Sequence, residues 1–173
     1  MFLLNLSHIR TPETRFERVY PAEQFATEED FRVAQPVALT LDIFKDKAQF
    51  RLAGDVKTVL EQPCSRCLEP FPTLVDAHFN LRYQPHAESA GAEERELGED
   101  DLTTAFYENE EIDLAQLMRE QFYLSLPMKP LCRDECRGLC PVCGTNLNRG
   151  ECTCARAWED PRLAVLKTLK KDS

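Results

Sequence analysis

The stretch Cys132–Cys154, CRDECRGLCPVCGTNLNRGECTC, determines how the C-terminal part of this chain can fold. It contains six of the eight cysteines of a 173-residue chain. Cys140 and Cys143 have the spacing of a zinc knuckle, a tight turn in which two thiolates converge and a following glycine can adopt positive φ. Cys152 and Cys154 offer a second pair of thiols a few residues later. This stretch therefore predicts a metal site.

The other two cysteines, Cys64 and Cys67, form a distant second knuckle with the sequence CSRC. Eight thiols in close pairs fit two closed tetrahedral zinc sites of four sulfurs each. Short spacing favours one local site, because closing a short loop costs little entropy. That site comprises Cys140, Cys143, Cys152 and Cys154, which leaves Cys132 and Cys136 to complete the site of Cys64 and Cys67. Swapped pairings, or one zinc ion with four unliganded thiols, are alternatives.

Disulfide and redox chemistry explain these cysteines less well than zinc does. The N-terminal sequence MFLLNLSHIRTPETR has no basic region followed by a long apolar run, so we expect no export signal and a cytoplasmic protein. A redox-active CxxC motif would open a helix, whereas Pro70 and Pro72 follow CSRC closely and disfavour one. An iron–sulfur cluster or another metal is a weaker alternative.

Alternating apolar residues predict a β-sheet in the first half of the chain. The alternation covers four successive segments with short links: Val37–Ile43, Phe50–Leu52, Val56–Leu60 and Val75–Tyr83. Gly54 would permit a bend between the second and the third segment. We expect an antiparallel meander with one covered face. Residues 1–36 predict one possible short strand at the start, followed by an irregular segment.

A helix is predicted to begin at Asp113, whose side chain can cap the first turn. Gln116 occupies the reciprocal position of a capping box, and Ile112 and Leu117 are placed as a hydrophobic staple. The apolar helical stripe ends before Pro127.

The predicted fold class is α+β. Residues 1–127 form an antiparallel sheet with a packed helix, and residues 86–104 read as a mobile acidic loop. Residues 128–173 form a zinc-bound segment with a short final helix after Asp160, packed on the same domain.

Charge is distributed unevenly, although the chain carries a formal net charge of −9. Residues 1–128 contain 12 Lys and Arg against 24 Asp and Glu, whereas residues 129–171 contain nine against five. The basic end predicts contact with a polyanion. Alternatively, these cations offset the negative charge of the zinc–thiolate sites. The candidate RNA-binding residues are Arg133, Arg137, Arg149 and Arg156.

Several function classes lack their sequence signatures. There is no phosphate-binding glycine loop, no nucleophile elbow and no apolar run long enough to span a membrane. All-cysteine zinc sites are typically closed, whereas hydrolytic sites need an open coordination position. We therefore expect no enzyme activity, no small-molecule substrate and no membrane partner.

Three segments carry a resemblance to a known family. PCSRCLEPF at 63–71, Ile112-Asp113-Leu114 leading to Leu126-Pro127, and CRGLCPVCGTNLN at 136–148 occur in this order. Together they closely resemble the bacterial YceD family, the large ribosomal RNA subunit accumulation proteins. The resemblance implies a cytoplasmic ribosome biogenesis protein without established catalytic residues.

We therefore interpret the chain as a non-enzymatic, zinc-stabilised factor. Its expected partner is a precursor of the large ribosomal subunit, contacted through ribosomal RNA, a ribosomal protein, or both. The alternatives are a zinc–thiolate redox sensor and a protein–protein adaptor without RNA contact.

Overall fold

Three long strands form the centre of the fold. They arise from the part of the chain in which apolar residues alternate, between Val37 and Tyr83. The computed structural model describes residues 2–85 and 104–154. Its elements in chain order are β1 (Leu3–Asn5), β2 (Glu13–Tyr20), β3 (Arg32–Val33), β4 (Val37–Asp46), β5 (Gln49–Pro63), β6 (Pro70–Pro85), β7 (Thr104–Tyr107), β8 (Glu111–Asp113) and α1 (Leu114–Ser125). Two short 3₁₀ turns lie at Leu6–His8 and Ala22–Gln24.

The main sheet has six strands, five of them in the order β2-β4-β5-β6-β7, while β3 pairs with β5. Pairing is antiparallel except between β6 and β7, which run parallel. The strands β1 and β8 form a separate antiparallel pair. This architecture confirms the predicted α+β fold class.

The expectation of four successive strands was wrong, because two of the segments belong to one strand. β5 runs without interruption from Gln49 to Pro63. Gly54 does not separate two strands; it allows close approach to β4, since a Cβ at this position would lie 2.1 Å from the carbonyl oxygen of Thr40.

The N-terminal segment is more regular than its sequence indicates. Residues Glu13–Tyr20 form an eight-residue strand that pairs with β4 over its whole length. Only Tyr20 of this strand is fully buried, so the apolar alternation that identifies the central strands is weak here. Backbone pairing with β4 makes this segment a strand despite its polar sequence.

The core lies between one face of the sheet and α1. It is built from apolar residues that are at most 1% exposed, among them Leu39, Leu41, Ile43, Leu52, Val56, Leu60, Leu114, Leu117, Met118 and Phe122. The predicted apolar stripe of α1 is therefore part of the core, as its helical spacing indicated.

The N-cap of α1 is confirmed, but the capping box is only half formed. Asp113 Oδ1 accepts hydrogen bonds from the backbone N–H groups of Ala115 at 2.8 Å and Gln116 at 3.2 Å. The side chain of Gln116 donates instead to Glu120 Oε1 at 2.9 Å. The helix ends at Ser125, two residues before Pro127.

Two expectations lie outside the described residues: the acidic loop, except for Thr104 in β7, and the final helix after Asp160. Within residues 2–85 and 104–154, no helix is both long and apolar enough to cross a membrane.

Candidate metal centre

The first knuckle is the connection between β5 and β6. The backbone N–H of Leu68 donates to the carbonyl of Cys64 at 2.9 Å, and the N–H of Cys64 donates to the carbonyl of Glu69 at 2.9 Å. These two bonds close a tight turn that directs both thiols to one side. Leu68, directly after the second cysteine, has a φ of +59°.

The second knuckle repeats this hydrogen-bond pattern. The N–H of Gly144 donates to the carbonyl of Cys140 at 2.9 Å, and the N–H of Cys140 donates to the carbonyl of Thr145 at 2.8 Å. Gly144 has a φ of +73°, so the residue after the second cysteine is left-handed in both knuckles. The two knuckles therefore share one hydrogen-bond pattern and one backbone conformation after the second cysteine.

The structure brings the thiols together in two groups of four. One group contains Cys64, Cys67, Cys132 and Cys136, and the other contains Cys140, Cys143, Cys152 and Cys154. Within each group all sulfur atoms lie within 4.8 Å of one another. This is the grouping that the spacing of the cysteines favoured.

The sulfur separations fit a tetrahedral zinc site. Cys64 Sγ lies 3.7 Å from Cys136 Sγ, and Cys67 Sγ lies 3.8 Å from Cys132 Sγ. A tetrahedron with Zn–S bonds of about 2.3 Å has S···S edges of about 3.8 Å, whereas a disulfide needs about 2.05 Å. All eight cysteines are free thiols. The donor number, type and spacing thus fit a structural zinc ion in each group.

Nearby donors stabilise thiolate at several sulfurs. Asn148 Nδ2 lies 3.3 Å from Cys136 Sγ, and the backbone N–H of Val142 lies 3.5 Å from Cys140 Sγ. Thr145 Oγ1 is 3.2 Å from Cys143 Sγ, and the hydroxyl and backbone N–H of Thr145 lower the pKa of Cys143 to about 6. Such outer contacts orient ligands and hold them in the ionised form that a metal requires.

The four thiols of a group cannot all ionise easily without a cation. Partial desolvation by the surrounding protein, followed by hydrogen bonds to the neighbouring sulfurs, raises the pKa of Cys132 to about 12. The hydrogen bond from Cys154 to Cys143, together with burial, raises the pKa of Cys154 to about 12. A divalent ion at the centre of each group would favour the loss of these protons.

The two groups differ in exposure. In the first group Cys132 is exposed, but Cys64, Cys67 and Cys136 are buried, and Phe71, Leu131 and Leu139 pack against them. In the second group only Cys140 is buried, while Cys143 is exposed. The first group is therefore the better shielded from solvent.

Backbone bonds fasten the C-terminal segment to the first knuckle. The N–H of Ser65 donates to the carbonyl of Pro130 at 2.8 Å, and the N–H of Leu139 donates to the carbonyl of Arg66 at 3.1 Å. The guanidinium of Arg66 donates to the carbonyl of Cys136 at 3.0 Å. Arg66 thus links the knuckle to the segment that supplies half of the ligands of its own site.

Glu69 extends this attachment to the second site. Its carboxylate accepts hydrogen bonds from Asn146 Nδ2 and from the guanidinium of Arg149. The sequence analysis did not identify Arg66 or Glu69. The only sequence signal was their position within and directly after the CSRC motif.

The candidate RNA-binding arginines have different surroundings. Arg133 donates to Asn148 Oδ1 at 2.8 Å, and Arg149 pairs with Glu69, so both guanidinium groups also support the fold. The backbone N–H of Arg137, rather than its guanidinium, donates to Asn148 Oδ1 at 2.8 Å. Arg156 lies outside the described residues. RNA contact by these four residues stays a prediction.

Comparison with known proteins identifies the family. The profile described as "Large ribosomal RNA subunit accumulation protein YceD" matches residues 52–170, a span that includes all eight cysteines. The chain belongs to the YceD family. The match starts within β5, so the YceD profile covers both knuckles and α1.

Curated relatives agree with the YceD assignment. The chain is 29% identical over 142 residues to the chloroplastic YCED homolog 1 of Zea mays, covering 69% of this chain and 48% of the relative. It is 28% identical over 163 residues to the Arabidopsis thaliana homolog, covering 82% of this chain and 51% of the relative. An uncharacterised protein of Mycobacterium tuberculosis is 34% identical over 98 residues, which cover 56% of this chain and 44% of that protein. The chain thus spans about half the length of the plant relatives. No solved structure matches significantly.

Proposed function

We propose that the protein is a zinc-stabilised factor, acting in the cytoplasm in the accumulation of large-subunit ribosomal RNA. The description of the YceD family supports a role in the accumulation of large-subunit ribosomal RNA. The observation that carries the zinc assignment is the placement of eight free thiols in two compact groups. Its role is binding rather than catalysis, because a zinc ion held by four thiolates has no open position for a substrate.

Zinc supplies the folding energy that the C-terminal segment lacks. Between Lys129 and Cys154 the only buried apolar residue other than cysteine is Leu147. Structural zinc contributes roughly 10–16 kcal/mol of apparent binding free energy at neutral pH, which is enough to order such a segment.

Metal analysis of paired variants tests this assignment. Elemental analysis of the purified protein should return two zinc atoms per chain. The variants C64S/C67S and C140S/C143S should each return one. A folded wild-type protein without metal would contradict the proposal.

The ordered segment would contact a large-subunit precursor through RNA, through a ribosomal protein, or through both. Among the three candidate arginines that the structure describes, Arg137 is the leading RNA-contacting candidate, because Arg133 and Arg149 also support the fold. Arg137→Ala should weaken RNA binding and reduce the slope of log K against log salt by about one. Measured RNA affinity that does not respond to R137A or to salt would favour a protein partner.

Exposure of the second site favours one alternative function, a zinc–thiolate redox sensor. The thiol of Cys143 is exposed, and exposed thiolates oxidise most readily. In that case mild peroxide should release zinc from the second site, and a thiol reductant should allow zinc to bind again. The affinity for the ribosomal precursor should change in proportion to the zinc released. Retention of both zinc ions under peroxide would exclude the sensor.

A further inference from the structure

An acidic cleft of about 390 Å³ lies beside Tyr83, near the end of β6 that is far from the first knuckle. Its walls come from β7, β8 and α1, with Leu3 of β1 at one side. Four carboxylates line it, and its described lining contains no Lys, Arg or His. These acids are Glu108, Glu111, Asp113 and Glu120.

A tight turn places two of these acids across from each other. Asn109 and Glu110 both have positive φ, at 53° and 57°, and the N–H of Glu111 donates to the carbonyl of Glu108 at 3.0 Å. Glu108 and Glu111 form a bridge pair across this turn. None of the described basic side chains forms a salt bridge with either of them.

A largely buried tyrosine contributes its side chain to the same cleft. Tyr83 is only 7% exposed, yet it lines the cleft, and its hydroxyl makes no hydrogen bond to any other described residue. Burial, followed by the charges of Glu120 and Asp113, raises the pKa of this hydroxyl to about 12. It stays protonated at neutral pH and can accept a hydrogen bond from an ammonium or guanidinium group.

The apolar part of the cleft suits the stem of a long basic side chain. Ile112 and Leu117 line it, and Phe106 at the rim is 50% exposed. Lysine and arginine bury their methylene stems on apolar surface and direct the charge to acceptors, and an aromatic ring adds a cation–π contact. A bare metal ion fits less well, because in residues 2–85 and 104–154 only the cysteines form close ligand groups.

We propose that this cleft binds an extended, lysine- or arginine-bearing segment of a protein partner. The proposal rests on the proposed function, in which a basic ribosomal protein is one possible partner, and it assigns that contact to a surface. The net negative lining repels nucleic acid, so the RNA contact and the protein contact would use different surfaces.

Paired charge-neutral variants of the full-length, zinc-loaded protein test the cleft. The probe is a fluorescein-labelled peptide of alternating lysine and leucine, measured by anisotropy at low ionic strength. E108Q/E111Q should raise its Kd about tenfold, as expected for two solvent-accessible ion pairs. The matched control E13Q/E23Q removes the same charge from exposed residues at the opposite edge of the sheet and should change Kd by less than about twofold.

A second variant separates hydrogen bonding from bulk charge. Tyr83→Phe keeps the ring and the net charge but should raise the Kd about threefold to fivefold, as loss of one hydrogen bond predicts. Equal Kd values for E108Q/E111Q and E13Q/E23Q would overturn the proposal, as would weaker RNA binding in place of weaker peptide binding. Co-sedimentation of wild-type protein with ribosomal precursors tests the proposed function separately. A failure of the cleft proposal can therefore be distinguished from a failure of the proposed function.

Discussion

The residue that follows the second cysteine of each knuckle adopts a left-handed conformation. Gly144 accepts it without a steric penalty, whereas Leu68 has the same conformation with a side chain. A non-glycine residue in this region costs about 1–2 kcal/mol. The first knuckle therefore carries strain that its many contacts with the C-terminal segment must offset.

Gly144→Ala isolates this backbone effect. A Cβ at Gly144 meets nothing within 4 Å, so steric crowding contributes nothing. We expect a loss of about 1–2 kcal/mol in the free energy of unfolding of the zinc-bound protein. Gly150→Ala is the control, because its Cβ also meets open space and its φ is not positive; chemical denaturation should show no loss. Equal stability of both variants would contradict the prediction.

Gly138→Ala should be the more damaging glycine substitution. Gly138 has a φ of +69°, and a Cβ there would lie 2.9 Å from the carbonyl oxygen of Arg66. Strain is thus combined with a clash at the point where the C-terminal segment meets the first knuckle. We expect a larger loss of unfolding free energy than for Gly144→Ala, together with faster reaction of Cys132 and Cys136 with a thiol reagent. If Cys132 and Cys136 react no faster in Gly138→Ala than in Gly144→Ala, Gly138 does not help to attach the C-terminal segment to the first knuckle.

At the scale of elements, the pairing of β4 with β5 depends on the absence of one side chain. Gly54 lies opposite Leu41 in the ladder, and its missing Cβ leaves room for the carbonyl of Thr40. Both strands supply much of the buried core, so local separation of the backbones would disturb packing against α1.

Gly54→Ala should therefore destabilise the whole sheet. Relief of a contact at 2.1 Å requires movement of backbone rather than of a flexible side chain. We expect a cost of about 2–3 kcal/mol or more, as for overpacked cores. The neighbouring Ala53→Gly should cost only about 0.5–1 kcal/mol through chain entropy. Thermal unfolding compares the two, and a cost for Gly54→Ala no larger than that of Ala53→Gly would refute the prediction.

At the scale of the molecule, two different sources of stability meet at the knuckle between β5 and β6. The sheet and α1 share an apolar core that contains no cysteine. The C-terminal segment instead has a small cluster formed by Cys64, Cys67 and Cys136 with three partly buried apolar neighbours. Removing metal should accordingly affect the two parts unequally.

Chelation of zinc should unfold residues 130–154 while the sheet persists. By hydrogen exchange, amides such as those of Leu139 and Leu147 should lose protection, and amides of β4 and β5 should keep it. Acidification should act in the same direction, because protons compete with zinc for the thiolates. Unchanged protection of residues 130–154 after complete zinc removal would show that zinc does not hold this segment.

The sequence by itself determined the features that depend on near neighbours: the knuckle turns, the Asp113 cap, the helical stripe and the alternation of the central strands. Short-range geometry and hydrophobic period suffice for these. The tertiary structure alone decided that β5 is continuous through Gly54, that the polar β2 segment and the parallel β7 join the sheet, and that Arg66 and Glu69 hold the C-terminal segment. It also decided between the cysteine pairings that the sequence left open, by placing Cys64 Sγ 3.7 Å from Cys136 Sγ in the grouping that the spacing favoured. These features depend on groups far apart in the chain, whose meeting is set by backbone pairing and excluded volume rather than by local sequence.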